Sequence, residues 1–403
     1  MFTVNRNRFV RGERTKVQSF ALNFGPQHPA AHGILKIAMV VAGELIVRAD
    51  PQYGLLHRGS EKLCESRSFS QIVPYFDRMD YVANLFQEDS IVSAIESLDS
   101  PKRPSLLTLN LRIMLNELSR IMNHLLTMSA ICLDLGSMGP IFWAFEEREL
   151  IMEFFEKLSG ARMHTALYRP FQVGVDFLFK NTISDLLILV ERGSRVVAGS
   201  FLALLSNKTF RSRCAGIGTF SKKKIFSYGI QGVIARACGV SLDSRLGLGS
   251  PSYSTYSSLS FRTFLGKKSD CLDRFVVRGR EVVESYRLIL QCLTLCTGVD
   301  QVSLAQRKRS KFISMEGVIT HFKETTYTPQ NNRALGWACV EGPKGGVGSF
   351  VLHTGAVSPY RVHLRSPVAH NLFMLGTVAN GYSFADFVST FCSMDVVLGE
   401  IDR

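Results

Sequence analysis

Four long segments with helical patterning constrain this chain more than any other feature of its sequence. The first runs from Ser105 to Ile131, with Leu111, Leu115, Leu118, Met122 and Leu125 near the spacing of one helix face. The second starts after Gly139-Pro140, where proline suits a first helical turn, and stops at Gly160. Thr182 to Ser206 and Asp270 to Thr297 supply two more. Helices of this length hide their apolar faces best against one another, so a central bundle is expected.

Strand patterning lies on both sides of these helices. Ile34 to Val41 and Glu44 to Val47 flank Ala42-Gly43 and suit a hairpin, and Asp50-Pro51-Gln52-Tyr53-Gly54 reads as the turn that follows. After Leu335 come Trp337 to Glu341, a Gly342-Pro343-Lys344-Gly345-Gly346 turn, Ser349 to Thr354, and Tyr360 to Arg365. Gly247 to Ser260, rich in Gly, Ser and Tyr, reads as an irregular surface or interface loop. The order β, then α, then β predicts an α+β fold. It divides the chain into an N-terminal β region (1–60), a helical core (61–330) and a C-terminal β region with a tail (331–403).

The 403 residues, 46% hydrophobic and 20% charged, suffice for a sizeable core and exclude wholesale disorder. No apolar run reaches the roughly 18 residues of a spanning helix. The net charge of +13 permits nucleic acid, an anionic surface or acidic partner subunits. The basic runs Lys222-Lys223-Lys224 and Arg307-Lys308-Arg309-Ser310-Lys311 are short and lack interleaved aromatics, which favours solvated or subunit-facing loops over nucleic acid. Nine scattered cysteines without CxxC spacing point to a reducing compartment, and Cys292 and Cys296 read as small buried hydrophobes. Arg6, Arg8 and Arg11 read as an ordinary basic arm.

Three clusters could carry chemistry. Gly25-Pro26-Gln27-His28-Pro29-Ala30-Ala31-His32-Gly33 sets two histidines four apart, but Pro29 argues against the helix that a two-histidine zinc site needs. The loop either presents imidazole to a ligand or uses it to satisfy its own backbone. Pro74-Tyr75-Phe76-Asp77-Arg78-Met79-Asp80-Tyr81 holds tyrosines that read as core residues or as pocket walls with a polar tip. Glu117, Arg120 and His124 share a face of the first long helix, with Asp134 just beyond, and the plain reading is a surface ion-pair stripe. No Walker loop, GxGxxG, GxSxG or HExxH is present.

The strings LNFGPQHPAAHGIL (Leu22 to Leu35), GLLHRGSEKL (Gly54 to Leu63), PYFDRMDYV (Pro74 to Val82), LDLGSM (Leu133 to Met138), FWAFEERE (Phe142 to Glu149), SGARMH (Ser159 to His164) and MDVVLGEIDR (Met394 to Arg403) resemble the 49 kDa subunit family of respiratory complex I. They run in family order along essentially the whole chain, in wording similar to the mitochondrial and α-proteobacterial branch. The resemblance implies a fold like the large subunit of nickel-iron hydrogenases. It also implies a place in the peripheral arm of NADH:ubiquinone oxidoreductase, on the matrix side of the mitochondrial inner membrane or the cytoplasmic side of a bacterial one. Ubiquinone would be the substrate, and a neighbouring subunit would hold a 4Fe-4S cluster.

On this resemblance, His32 and Tyr81 would contact the quinone head group, Asp134 would pair with His32, and Arg58, Arg78 and His164 would lie near the partner's cluster. Two protons and two electrons reduce a quinone, and histidine, tyrosine and a carboxylate are suitable proton handlers. No metal is expected on this chain: Cys64 and Cys392 are each single where the hydrogenases carry pairs, so hydrogenase activity is rejected. A scaffold with a decayed site is the competing reading, and retention of His32, Tyr81 and Asp134 together speaks for catalysis. Gly345-Gly346-Val347-Gly348 and Leu352-His353-Thr354 depart from the family wording, in a region remote in sequence from the inferred quinone ligands.

Overall fold

The computed structural model describes residues 19–26, 33–99, 102–174, 180–247, 253–296, 314–319, 327–331 and 334–403. Its helices and small antiparallel sheets form an α+β arrangement.

The first sheet comprises β1 (Ser19–Phe24), β2 (Lys36–Ala42) and β3 (Leu45–Gln52) in that order, with the turn at Gly43-Glu44. Alternation drives it: Ile37, Met39 and Val41 of β2 are buried. The expected turn at Asp50-Pro51-Gln52 is instead the end of β3, where Pro51 pairs with Ile37. β3 is an edge strand, so a residue without an N–H is tolerated there.

Helices α1 (Ser60–Cys64), α2 (Phe69–Asp77) and α3 (Asn84–Leu98) lead into the bundle of α4 (Leu106–Asp134), α5 (Gly139–Ser159), α6 (Lys180–Ser206) and α11 (Cys271–Cys296). The four long segments thus form the expected helices. Ser105 caps α4 by accepting from Thr108 N at 3.2 Å, and Gly160 ends α5 with a left-handed φ of 80°. A minimal hairpin, β4 (Tyr168–Arg169) and β5 (Gln172–Val173), follows α5. Short helices α7 (Lys208–Cys214), α8 (Lys222–Tyr228), α9 (Gly232–Ala237) and α10 (Tyr253–Tyr256) lie between α6 and α11. Lys222, Lys223 and Lys224 are exposed on α8, whereas Arg307 to Lys311 lie outside the described residues.

The second sheet, β6 (Ala334–Gly342), β7 (Gly345–His353) and β8 (Arg361–Arg365), packs on α3. Three helices follow it, α12 (Pro367–Val378), α13 (Phe384–Cys392) and α14 (Leu398–Asp402). Two large apolar cores result. One joins α2 to α6, α11 and the second sheet; the other joins the first sheet, α7 to α9 and the last three helices. Helices α4 and α11 run through both, with Leu118 and Ile289 in the first core and Ile131 and Phe275 in the second.

Because α4 is enclosed on every side, the stripe of Glu117, Arg120 and His124 is buried rather than on the surface, each residue having 0% exposure. Arg120 Nε donates to Glu117 at 3.1 Å and its Nη2 to the Glu341 carbonyl at 2.6 Å, while His124 meets Glu281 at 3.0 Å. Arg236 reaches Glu281 and Glu341, each at 2.8 Å, and Arg245 bridges Asp243 at 2.8 Å to Glu117 at 3.5 Å. Helical spacing gave the shared face correctly but carries no information on what packs against it. The charges are tolerated inside only because each meets an opposite one.

Candidate functional site

Tyr81 lies in the loop between α2 and α3, half-buried. The C-terminal segment forms its wall: a Cβ added to Gly399 would stand 3.6 Å from Tyr81 Cε1 and 2.6 Å from the Met79 carbonyl. Only a residue without a side chain lets the two backbones approach so closely. Burial pushes the Tyr81 phenol up, and Asp80 and Asp395 add to the rise while Arg58 opposes it. Tyr81 therefore stays protonated at neutral pH and can donate from its tip.

The two arginines assigned to the partner's cluster lie together beside this loop. Arg58 Nη2 donates to the Arg78 carbonyl at 2.8 Å, and both residues are exposed. Arg58 is held by its own N–H, which donates to the Arg403 carbonyl at 2.9 Å. A surface cavity of about 420 Å³ opens next to them, lined by Tyr53, His57, Glu61, Arg361 and Arg403 among others. His164 follows the stop of α5, and its Nδ1 is buried 3.4 Å from Asp77 Oδ2. Asn84 donates to the Met163 carbonyl and ties this loop to the start of α3. Burial, with Asp77 nearby, holds Glu88 well above the usual carboxylate range. Asp77 thus sits between a histidine and a buried acid.

Asp134, the last residue of α4, stands beside the Cys392 thiol of α13, and burial together with that carboxylate pushes the thiol well up. Asp395, three residues on, accepts from Asn123 at 2.7 Å and acts electrostatically on Tyr81. The segment from Cys392 to Glu400 therefore links the surroundings of Asp134 to those of Tyr81. His28 and His32 lie outside the described residues, and with them the expected Asp134–His32 pair.

Among the described residues, no group of three or more His, Cys, Asp or Glu could hold a metal ion, and no helix is long and apolar enough to cross a membrane. Exposed cations, a half-buried tyrosine and buried acids on one side of the molecule suit a small polar-headed ligand or a partner carrying negative charge.

Residues 134–403 match the family model described as respiratory-chain NADH dehydrogenase, 49 Kd subunit. The chain is 38% identical over 401 residues to the NADH-ubiquinone oxidoreductase 49 kDa subunit of Paramecium tetraurelia, covering 96% of this chain and 100% of that one. It is 39% identical over 398 residues to an NADH-quinone oxidoreductase subunit of Ehrlichia ruminantium (strain Welgevonden), covering 97% and 100%. The 49 kDa subunit of Acanthamoeba castellanii is 38% identical over 398 residues, covering 96% and 97%.

The chain belongs to the 49 kDa subunit family of respiratory-chain NADH dehydrogenase.

As a member of that family it is a subunit of complex I, with other complex I subunits as partners. Its relatives come from mitochondria-bearing protists and from bacteria. Sequence reasoning missed Asp80, Lys344, Asp395 and Glu400, all near Tyr81. A detectable signal was there: MDVVLGEID sets acids within an apolar run, where a charge is costly unless something answers it. The departure at Gly345-Gly346 is remote from Tyr81 in sequence only. Lys344, the preceding residue, pairs with Asp80 across 264 positions.

Proposed function

We propose that this chain forms the ubiquinone reduction site of NADH:ubiquinone oxidoreductase together with a subunit that carries the terminal 4Fe-4S cluster. The proposal places it in the peripheral arm, on the matrix side of the mitochondrial inner membrane or its bacterial equivalent, on a scaffold like that of the hydrogenase large subunit. The observation that carries it is Tyr81: a half-buried phenol kept protonated, wedged against Gly399 and next to the paired loops of Arg58 and Arg78.

In this reading Tyr81 donates a hydrogen bond to one head-group oxygen, and His32 serves the other with Asp134 as its partner. As negative charge develops on the quinone oxygens, such donors stabilise it and hand over protons. A cluster held by the neighbouring subunit would supply the electrons. Arg58, Arg78 and His164 face that subunit, where cationic side chains favour the reduced, more negative cluster.

The test is Tyr81→Phe in the assembled complex, which keeps the ring and removes the donor. Quinone reduction is expected to fall about 10- to 100-fold, the loss of one strong hydrogen bond to developing charge, with assembly retained. Wild-type kcat and KM for a short-chain ubiquinone would remove Tyr81 from the site.

A further inference from the structure

Behind the Tyr81 loop lies a buried ionisable cluster that the reading of the quinone site does not use. Lys344, in the turn joining β6 to β7, is 5% exposed, and its Nζ stands 2.7 and 2.6 Å from the two carboxylate oxygens of Asp80. Asp80 is 4% exposed, and its Oδ1 also accepts from Val82 N at 3.2 Å and Ala83 N at 3.3 Å. One carboxylate therefore spans Tyr81, fixing the two peptide groups that follow it. Its other tie runs to a hairpin 264 residues away.

Glu400 of α14 completes the group with 0% exposure. It acts electrostatically with both Asp80 and Lys344. Gln87 of α3 and Ser366 at the start of α12 stand beside it, yet neither forms a well-shaped hydrogen bond, and both Glu400 oxygens are left without one. An ionised carboxylate in such a place is costly, so the uncharged acid is favoured.

We propose that Lys344 and Glu400 are positioning residues of the quinone site, acting on Tyr81 through Asp80. The inference rests on the reading of Tyr81 given above. Lys344 fixes Asp80, Asp80 fixes the loop, and Gly399 sets the wall on which the ring rests. Glu400 governs the charge of the cluster. With Glu400 uncharged, Asp80 and Lys344 cancel, and Asp395 is answered by Asn123 and by the nearby Arg278. Burial pushes the Glu400 carboxyl up to about 8, Asp80 adds to the rise and Lys344 opposes it. As pH rises through that value a net negative charge appears in the cluster. It competes with Asp80 for Lys344 and loosens the Tyr81 loop.

A purely structural ion pair would alter assembly and nothing else, so the experiment reads assembly and quinone kinetics separately. Lys344→Met, Lys344→Arg, Glu400→Gln and Tyr81→Phe are compared as assembled complex in the native membrane, with complex content measured on native gels. Lys344→Met is expected to raise KM for a short-chain ubiquinone roughly tenfold per assembled complex, and Lys344→Arg less. Wild type is expected to show a severalfold rise in that KM between about pH 7 and pH 9, and Glu400→Gln, which cannot ionise, a flat profile. Should Lys344→Met fail to assemble, Glu400→Gln decides alone, because it keeps the uncharged shape. A Glu400→Gln profile with the same alkaline rise as wild type overturns the proposal, as does a wild-type KM in assembled Lys344→Met. If Tyr81→Phe is impaired while these variants behave as wild type, the positioning role falls and the Tyr81 reading stands. If Tyr81→Phe is itself unaltered, the Tyr81 reading falls and takes this proposal with it.

Discussion

Asp402 accepts from the backbone N–H of Gly54 at 2.9 Å and of Leu56 at 2.8 Å, so that one carboxylate fixes a loop lying 348 and 346 positions earlier in the chain. That loop goes on to His57, which contacts the Asp402 carbonyl, and to Arg58. The last turn of the chain thus holds the approach to Arg58 and Arg78. Asp402→Ala should lower stability by about 2 kcal/mol through loss of two charge-assisted bonds, and Asp402→Asn by less. Thermal inactivation of the complex and protease cleavage near Gly54 measure this. Unchanged values for Asp402→Ala would make the contact incidental.

Gly399→Ala should act by crowding, without adding or removing a polar group. Its new Cβ would meet the Met79 carbonyl at 2.6 Å, and backbone cannot yield as a flexible side-chain end can. Displacement of α14 from Tyr81 follows, with an expected severalfold rise in quinone KM and a loss of about 1–3 kcal/mol of stability, as for other overpacked sites. Equal KM and thermal stability in variant and wild type would show that the two segments are free to separate.

Arg236 is fully buried among Glu281, Glu341 and Asp243, at 2.8, 2.8 and 3.4 Å. Arg236→Met leaves those carboxylates underpaired and should cost about 3–5 kcal/mol. The same network predicts acid sensitivity. Asp243 is lowered to about 2 because Arg245 and Arg236 outweigh the effect of its burial, and Glu281 is also lowered, with Arg236 the main opposing charge. A depressed folded-state value gives stability that is fully present above the ordinary carboxylate range, near 4, and lost as pH falls towards 2. Thermal melts at stepped pH should therefore fall steeply below about pH 4, and the fall should be shallower in Arg236→Met, where the two carboxyls are less depressed.

Eight of the nine cysteines are buried and Cys339 is intermediate. Burial pushes the Cys64, Cys132 and Cys214 thiols up to about 12 and Cys296 to about 11. At neutral pH the reactive thiolate is then less than roughly one part in a thousand at each of these four. Maleimide labelling of the native protein, read by mass spectrometry, should mark Cys339 first and leave these four until denaturant is added. Prompt native labelling of Cys64 or Cys132 would contradict their enclosure.

What the sequence determined by itself was local. The period of Leu111, Leu115, Leu118, Met122 and Leu125 laid out α4, Pro140 and Gly160 bounded α5, and alternation marked β2, because backbone geometry and side-chain spacing act over a few residues. Family wording added Tyr81, Asp134, Arg58, Arg78 and His164 as candidates. Only the tertiary structure decided which faces were enclosed. Glu117, Arg120 and His124 have the spacing of a surface stripe and became the centre of the core because Glu281 of α11, Arg245 and the Glu341 carbonyl of β6 meet them. The pairing of Lys344 with Asp80, and of Asp402 with Gly54, likewise follows from how distant segments pack. A buried charge chooses its partner by proximity in space, which no local pattern encodes.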